Sequence, residues 1–170
     1  TPEAVKDGVD PIKISNPGRS MCWAGIYAQY ETDMDQTTSS AGGMTLRKEV
    51  FVERQTPQGT QLKPVDEVML APGDRLVVRL VLENDQSMEY VHLKDYHASG
   101  TEPVDVISGY RWQGGMSFYQ STRDEVTHFF IYFLPEGKHI FEYRLDVFQQ
   151  GNYTAGFAEI QCQYAPEFSA

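Results

Sequence analysis

The sequence predicts an all-β fold, an antiparallel β-sandwich of immunoglobulin-like type with an N-terminal arm strand. Three observations carry that reading. From His139 onward, His139, Phe141, Tyr143, Leu145 and Val147 alternate with the charged Glu142, Arg144 and Asp146, which is the period of a strand with one buried and one wet face. Strand-length apolar runs recur between clusters of Gly, Pro, Asp and Asn. No stretch has the 3.6-residue apolar period of an amphipathic helix.

Taken in order, residues 1–20 hold Pro2, Gly8, Pro11, Pro17 and Gly18, too many breakers for a helix or a central strand. Met21 to Tyr30 has strand composition, with Trp23, Ile26, Tyr27 and Tyr30, and leads into a polar Thr-, Ser- and Gly-rich segment ending at Gly43. Residues 1–43 therefore read as linker and arm strand, and 44–170 as the sandwich. An arm of this kind must add to a sheet of this domain or of a neighbour, because its backbone groups need partners.

Within the sandwich, Leu46, Val50, Phe51 and Val52 mark a strand that ends before Thr56-Pro57-Gln58-Gly59. Ala71-Pro72-Gly73-Asp74 is a turn signal opening a strand in which Leu76, Val78, Leu80 and Leu82 alternate with Arg75, Val77, Arg79 and Val81. Met88 to Lys94, Met116 to Gln120, Thr127 to Leu134, Lys138 to Phe148 and Phe157 to Tyr164 follow, giving about seven or eight strands. Thr127 to Leu134 is apolar on both faces. The short Pro135-Glu136-Gly137 connection predicts a hairpin with the strand after it, which would make His128 and His139 cross-strand neighbours.

A formal charge of −10, from 14 basic and 24 acidic residues, disfavours a phosphate backbone as partner. No apolar run reaches the length of a membrane-spanning helix. Thr1 is neither an initiator methionine nor the start of a signal peptide, so the chain reads as part of a larger or processed precursor. Cys22 and Cys162 are too far apart for a redox or zinc motif, and a disulfide and two separate thiols both fit them. Asn152-Tyr153-Thr154 matches a glycosylation acceptor, a pattern short enough to arise by chance.

The chemistry-bearing residues do not assemble into a catalytic pattern. His92 and His97 flank Asp95, but without the compact spacing of a metal site, and packed or half-exposed rings account for them better. Asp33-Met34-Asp35 lacks the glycine and distal glutamate of a calcium loop. No nucleophile elbow, phosphate-binding loop or Cys/His signature is present, so no catalytic residue, metal or cofactor is predicted. Tyr110, Arg111 and Trp112 admit two readings. One is a carbohydrate platform; the favoured one has Trp112 plugging one end of the core and Arg111 paired with an acidic neighbour.

Three segments, in this order, resemble the C-terminal region of the bacterial alpha-2-macroglobulin family, large protease traps related to complement components. Trp23-Ala24-Gly25-Ile26-Tyr27-Ala28-Gln29-Tyr30, with the linker and Leu46 to Phe51, is similar to the strand that enters the last macroglobulin-like domain. Ala71 to Leu80, with Leu93, Asp95, Gly100, Glu102 and Pro103, resembles a central strand of that domain and the segment after it. Leu134-Pro135-Glu136-Gly137, Tyr143-Arg144, Gly151 and Tyr164-Ala165-Pro166-Glu167 resemble its closing segments.

The resemblance implies a macroglobulin-like sandwich acting as a non-catalytic module of an endopeptidase inhibitor at the periplasm or cell surface. Its partners would be the other domains of its own parent chain, and target proteases indirectly. The family's trapping chemistry uses a Cys-x-x-Gln thioester, which neither Cys22-Trp23-Ala24-Gly25 nor Cys162-Gln163-Tyr164-Ala165 supplies. Many relatives carry methionine before the closing tyrosine, in a segment that helps cover the thioester of the adjacent domain. Here that residue is Gln163, a more polar lid. By resemblance, then, the interface residues are Gln163, Tyr164, Pro166 and Glu167. The reading from another class is a carbohydrate-binding or adhesin sandwich using Tyr110 and Trp112.

Overall fold

The computed structural model describes residues 43–170 together with positions 15, 17, 18, 21 and 23. The arm strand expected over residues 21–30 and the linker after it lie, Met21, Trp23 and Gly43 apart, outside the described residues, as does Cys22.

Eleven strands are present among the described residues: β1 Met44–Thr56, β2 Gly59–Pro64, β3 Arg75–Asn84, β4 Met88–Tyr96, β5 Thr101–Pro103, β6 Gly109–Gln113, β7 Met116–Thr122, β8 Val126–Leu134, β9 Gly137–Val147, β10 Ala158–Cys162 and β11 Ala165–Ser169. The sequence reading fell short of that number because β2, β5, β6 and β11 are short strands lying next to or inside turn-rich stretches. One sheet runs β2-β1-β3-β9-β5 and the other β11-β10-β4-β8-β7-β6, every pairing antiparallel. Between them lies a core in which Leu80, Leu82, Leu93, Phe129, Ile131, Leu134 and Phe141 are essentially inaccessible to solvent.

The turn signals act as their chemistry dictates. In Ala71-Pro72-Gly73-Asp74, Gly73 takes φ 93° and the Asp74 amide donates to the Ala71 carbonyl at 3.0 Å, a type II turn. The Asp74 carboxylate accepts from the Ala71 amide and from both terminal nitrogens of Arg54 on β1, clamping the turn to the sheet. Gly114 and Gly115, with φ 60° and 82°, form the two-residue hairpin between β6 and β7.

One connection differs from the sequence reading. β8 and β9 are not a hairpin: β8 belongs to the six-stranded sheet and β9 to the five-stranded one. Pro135 and Glu136 carry the chain across the sandwich, beside the crossing from β3 to β4, which runs in the opposite direction. The two crossings are tied together by Asn84 Nδ2 donating to the Pro135 carbonyl at 2.8 Å and by the Glu136 amide donating to Ser87 Oγ at 3.1 Å. A proline and a glycine in a short connection fit an arch as well as a hairpin, and local sequence does not separate the two.

The strand β11, Ala165–Ser169, pairs with β10 as an edge strand, where the missing amide hydrogen of Pro166 is tolerated.

Candidate interaction surface

The β10–β11 turn places Gln163 and Tyr164 at one margin of the outer face of the six-stranded sheet. The Gln163 amide donates to the Tyr90 carbonyl at 3.0 Å, and its side-chain nitrogen lies 3.3 Å from His92 Nδ1. Tyr164 is 80 % exposed and meets the Tyr90 ring edge-on at 5.1 Å. Pro166 and Glu167 sit apart from these rings, exposed on the edge strand. Of the four residues singled out from the sequence, two belong to this face and two to the adjoining edge.

A slip in the in-and-out alternation explains why so many rings face outward here. On β4, Met88 and Val91 are both buried, and on β8, Ile131 and Leu134 are both buried, so each strand presents two consecutive residues to solvent: Glu89 and Tyr90, and Tyr132 and Phe133. Tyr90 adopts φ 54°, the only positive φ at a non-glycine position among the described residues. Its ring packs edge-on against Tyr132 at 4.9 Å, and the Tyr132 phenol raises the Tyr90 hydroxyl pKa above its usual value. Phe130 faces out in register with Tyr119, which in turn opposes Tyr110 at 5.3 Å. Sequence reasoning missed Tyr90, Tyr119, Phe130 and Tyr132. The available signal was that a strand apolar on both faces needs cover on both, and the sandwich covers only one.

Trp112 is not a core plug: it lies 74 % exposed on edge strand β6, because the alternation there turns Tyr110 and Trp112 outward together. Arg111 does pair with an acidic neighbour, Asp105.

The histidines separate. His92 Nε2 lies 3.0 Å from His128 Nδ1, and His92 stacks on Phe130 at 4.4 Å. Burial, then the neighbouring His128 and Lys94, push the His92 pKa down to about 4, while burial is also the main cause lowering His128. His139 lies in the other sheet, its Nε2 2.8 Å from the Pro135 carbonyl, so it is not the cross-strand partner of His128. His92 faces outward and Asp95 inward on β4, so the two do not converge on one site. Among the described residues no group of three or more His, Cys, Asp or Glu is placed to hold a metal ion.

Asp95 instead anchors a polar contact inside the sandwich. Lys48 on β1 reaches across with Nζ 2.6 Å from Asp95 Oδ1, an ion-pair contact off the hydrogen-bonding direction, and donates to the carbonyls of Tyr96 and Ala155. The Tyr143 hydroxyl donates to Asp95 Oδ2 at 2.5 Å. Burial raises both the Asp95 carboxyl and the Tyr143 phenol. Beside this cluster, at the end of the sandwich, a cavity of about 560 Å³ opens among Val50, Leu70, Leu76, His97, Leu145 and Tyr153. Cys162 is a free buried thiol donating to the Glu89 carbonyl.

Comparison with known families gives the context: residues 43–167 match the bacterial alpha-2-macroglobulin MG10 domain. The chain belongs to the bacterial alpha-2-macroglobulin family. Its fold is the macroglobulin-like β-sandwich. Among solved structures it is similar to a point mutant of Salmonella alpha-2-macroglobulin, at 13 % identity and TM-score 0.60, covering 78 % of this chain and 9 % of that one. The Salmonella protein reacted with methylamine is similar at TM-score 0.59, with the same identity and coverage. The likeness to these two structures is one of fold. No curated protein matches the chain.

Proposed function

We propose that this chain is the non-catalytic C-terminal domain of an alpha-2-macroglobulin-type endopeptidase inhibitor of the bacterial periplasm or cell surface. Its task is to pack against, and shield, the thioester-type domain of its parent chain, with Gln163 and Tyr164 at the contact and Pro166 and Glu167 along the adjoining edge. Residues 1–43 would then be linker and an arm strand leaving the preceding domain. The observation that carries the reading is the family match together with Tyr164, a large ring with a polar tip left 80 % exposed beside an aromatic sheet face. Target proteases engage such an inhibitor elsewhere, so this domain contributes docking and not cleavage.

The test is Tyr164→Ala in the whole protein. It should loosen domain docking and speed proteolytic clipping while leaving the fold of this domain intact. If the variant docks and resists proteolysis like the wild type, the proposed contact is wrong.

The exposure of Tyr110 and Trp112 supports a second reading, a carbohydrate-binding sandwich. A glycan-array signal abolished by Trp112→Ala would favour it over the inhibitor module.

A further inference from the structure

The outer face holds a concavity of about 270 Å³ whose side-chain walls include Tyr90, Tyr110, Tyr119, Phe130, Tyr132 and Gln163. We propose that this concavity is a socket for one bulky apolar side chain presented by another domain of the parent chain, so that docking is anchored by the sheet face and not by the closing turn alone. The proposal rests on the docking role assigned above and names what that site receives.

Four observations support it. The first is size: small-molecule sites run from roughly 300 Å³ upward, and this concavity falls just below that range, so it suits a single large side chain. The second is chemistry. On a chain of net charge −10, charges in the middle of the outer face are confined, among the described residues, to Lys94 and Glu159, which neutralise each other at 2.7 Å, while Glu89 stands at the rim. Aromatic centres depleted of charge are the composition of interface cores, and the complementary group is apolar and uncharged.

The third is backbone geometry. Tyr90 is held at φ 54°, a conformation disfavoured for a bulky residue, and the alternation slips at Tyr90 and Tyr132 together. The core gains nothing from this, since both rings face solvent; the arrangement raises the wall that Tyr164 abuts at 5.1 Å. The fourth is continuity. Gln163 lines the socket and precedes Tyr164, so an element touching the closing turn lies over the socket, and a relative with this fold is a far longer chain, of which the present one spans 9 %.

The experiment is hydroxyl-radical footprinting of the whole native protein, with Met69, 91 % exposed and remote from this face, as the internal reference. Tyr119, Phe130, Tyr132 and Tyr164 should all be at least about tenfold less reactive than their exposure in this domain allows, when scaled to Met69. Tyr119→Arg, a change at a surface ring, should abolish the protection of Phe130 and Tyr132 while the core rings Phe129 and Phe141, both 0 % exposed, stay protected. Protection of Tyr164 with socket rings as reactive as Met69 overturns the socket and leaves the docking role standing. Protection of none of the four overturns both. Protection that survives Tyr119→Arg also overturns the socket, because a charge at its wall excludes an apolar occupant.

Discussion

The Lys48 ammonium lies 2.6 Å from the Asp95 carboxylate inside the sandwich, joining β1 of one sheet to β4 of the other, with side-chain exposures of 13 % and 0 %. Breaking such a pair on one side leaves an uncompensated buried charge, so Asp95→Ala should destabilise the domain by about 3–5 kcal/mol. Replacing the whole cluster with apolar groups of similar size, Lys48→Met with Asp95→Leu and Tyr143→Phe, should cost much less than the sum of the single changes. Denaturant unfolding of Asp95→Ala, of the triple replacement and of its three single changes checks this. Additive losses would mean that the groups act independently.

Tyr143→Phe removes one donor from Asp95 and nothing from the packing of the ring. The loss should be about 1–3 kcal/mol, the cost of leaving a buried acceptor short of a partner. It should shrink when measured in an Asp95→Leu background, where the acceptor is gone. An equal loss in both backgrounds would place the Tyr143 contribution in its contacts and not in its hydroxyl.

How far the sequence carried is visible in particular residues. Phe141, Tyr143, Leu145 and Val147 alternate in the sequence and are buried in β9, because strand period and burial are the same constraint. The crossing at Pro135 was illegible as such, since whether β8 pairs with β9 or faces it is settled by the distant strands each joins, β4 and β7 for β8 and β3 and β5 for β9. Lys48 and Asp95 gave no local sign of meeting, being 47 positions apart. At the candidate surface, Tyr164 was found through its segment, whereas Tyr90 and Tyr132 depend on a slip in alternation that apolar runs conceal.

Gly156 takes φ 73°, and a Cβ added there would fall 2.1 Å from the Tyr96 carbonyl oxygen, the oxygen that accepts from Lys48. Backbone, not a flexible side-chain tip, is in the way. Gly156→Ala should therefore cost about 1–3 kcal/mol and open the loop around Ala155. Thermal unfolding and amide exchange at Tyr96 and Phe157, whose backbones are bonded at 2.9 Å, are the measurements. Unchanged stability would show that the loop relaxes freely.

The pair His92 and His128 gives the domain a pH response of definite sign. His92 in the folded protein titrates at about 4 against 6.5 when free, so between those values the unfolded chain binds more protons. Stability is fully present above about pH 6.5 and declines as pH falls toward 4. Lys94 and Arg123 act in the same direction on His128, while Glu159 opposes the shift at His92. Asp74, held low chiefly by its hydrogen bond from Arg54, and Glu83, held low chiefly by its hydrogen bond from Lys138, act in the same direction, their contribution being lost as pH falls through the usual carboxylate range. Asp95, held high, contributes a slope of opposite sign above 3.8. The melting temperature should thus drop between pH 7 and pH 5, and His92→Gln should flatten that drop without abolishing it, because His97 and His128 are also held low. A His92→Gln profile parallel to the wild type would remove His92 from the linkage.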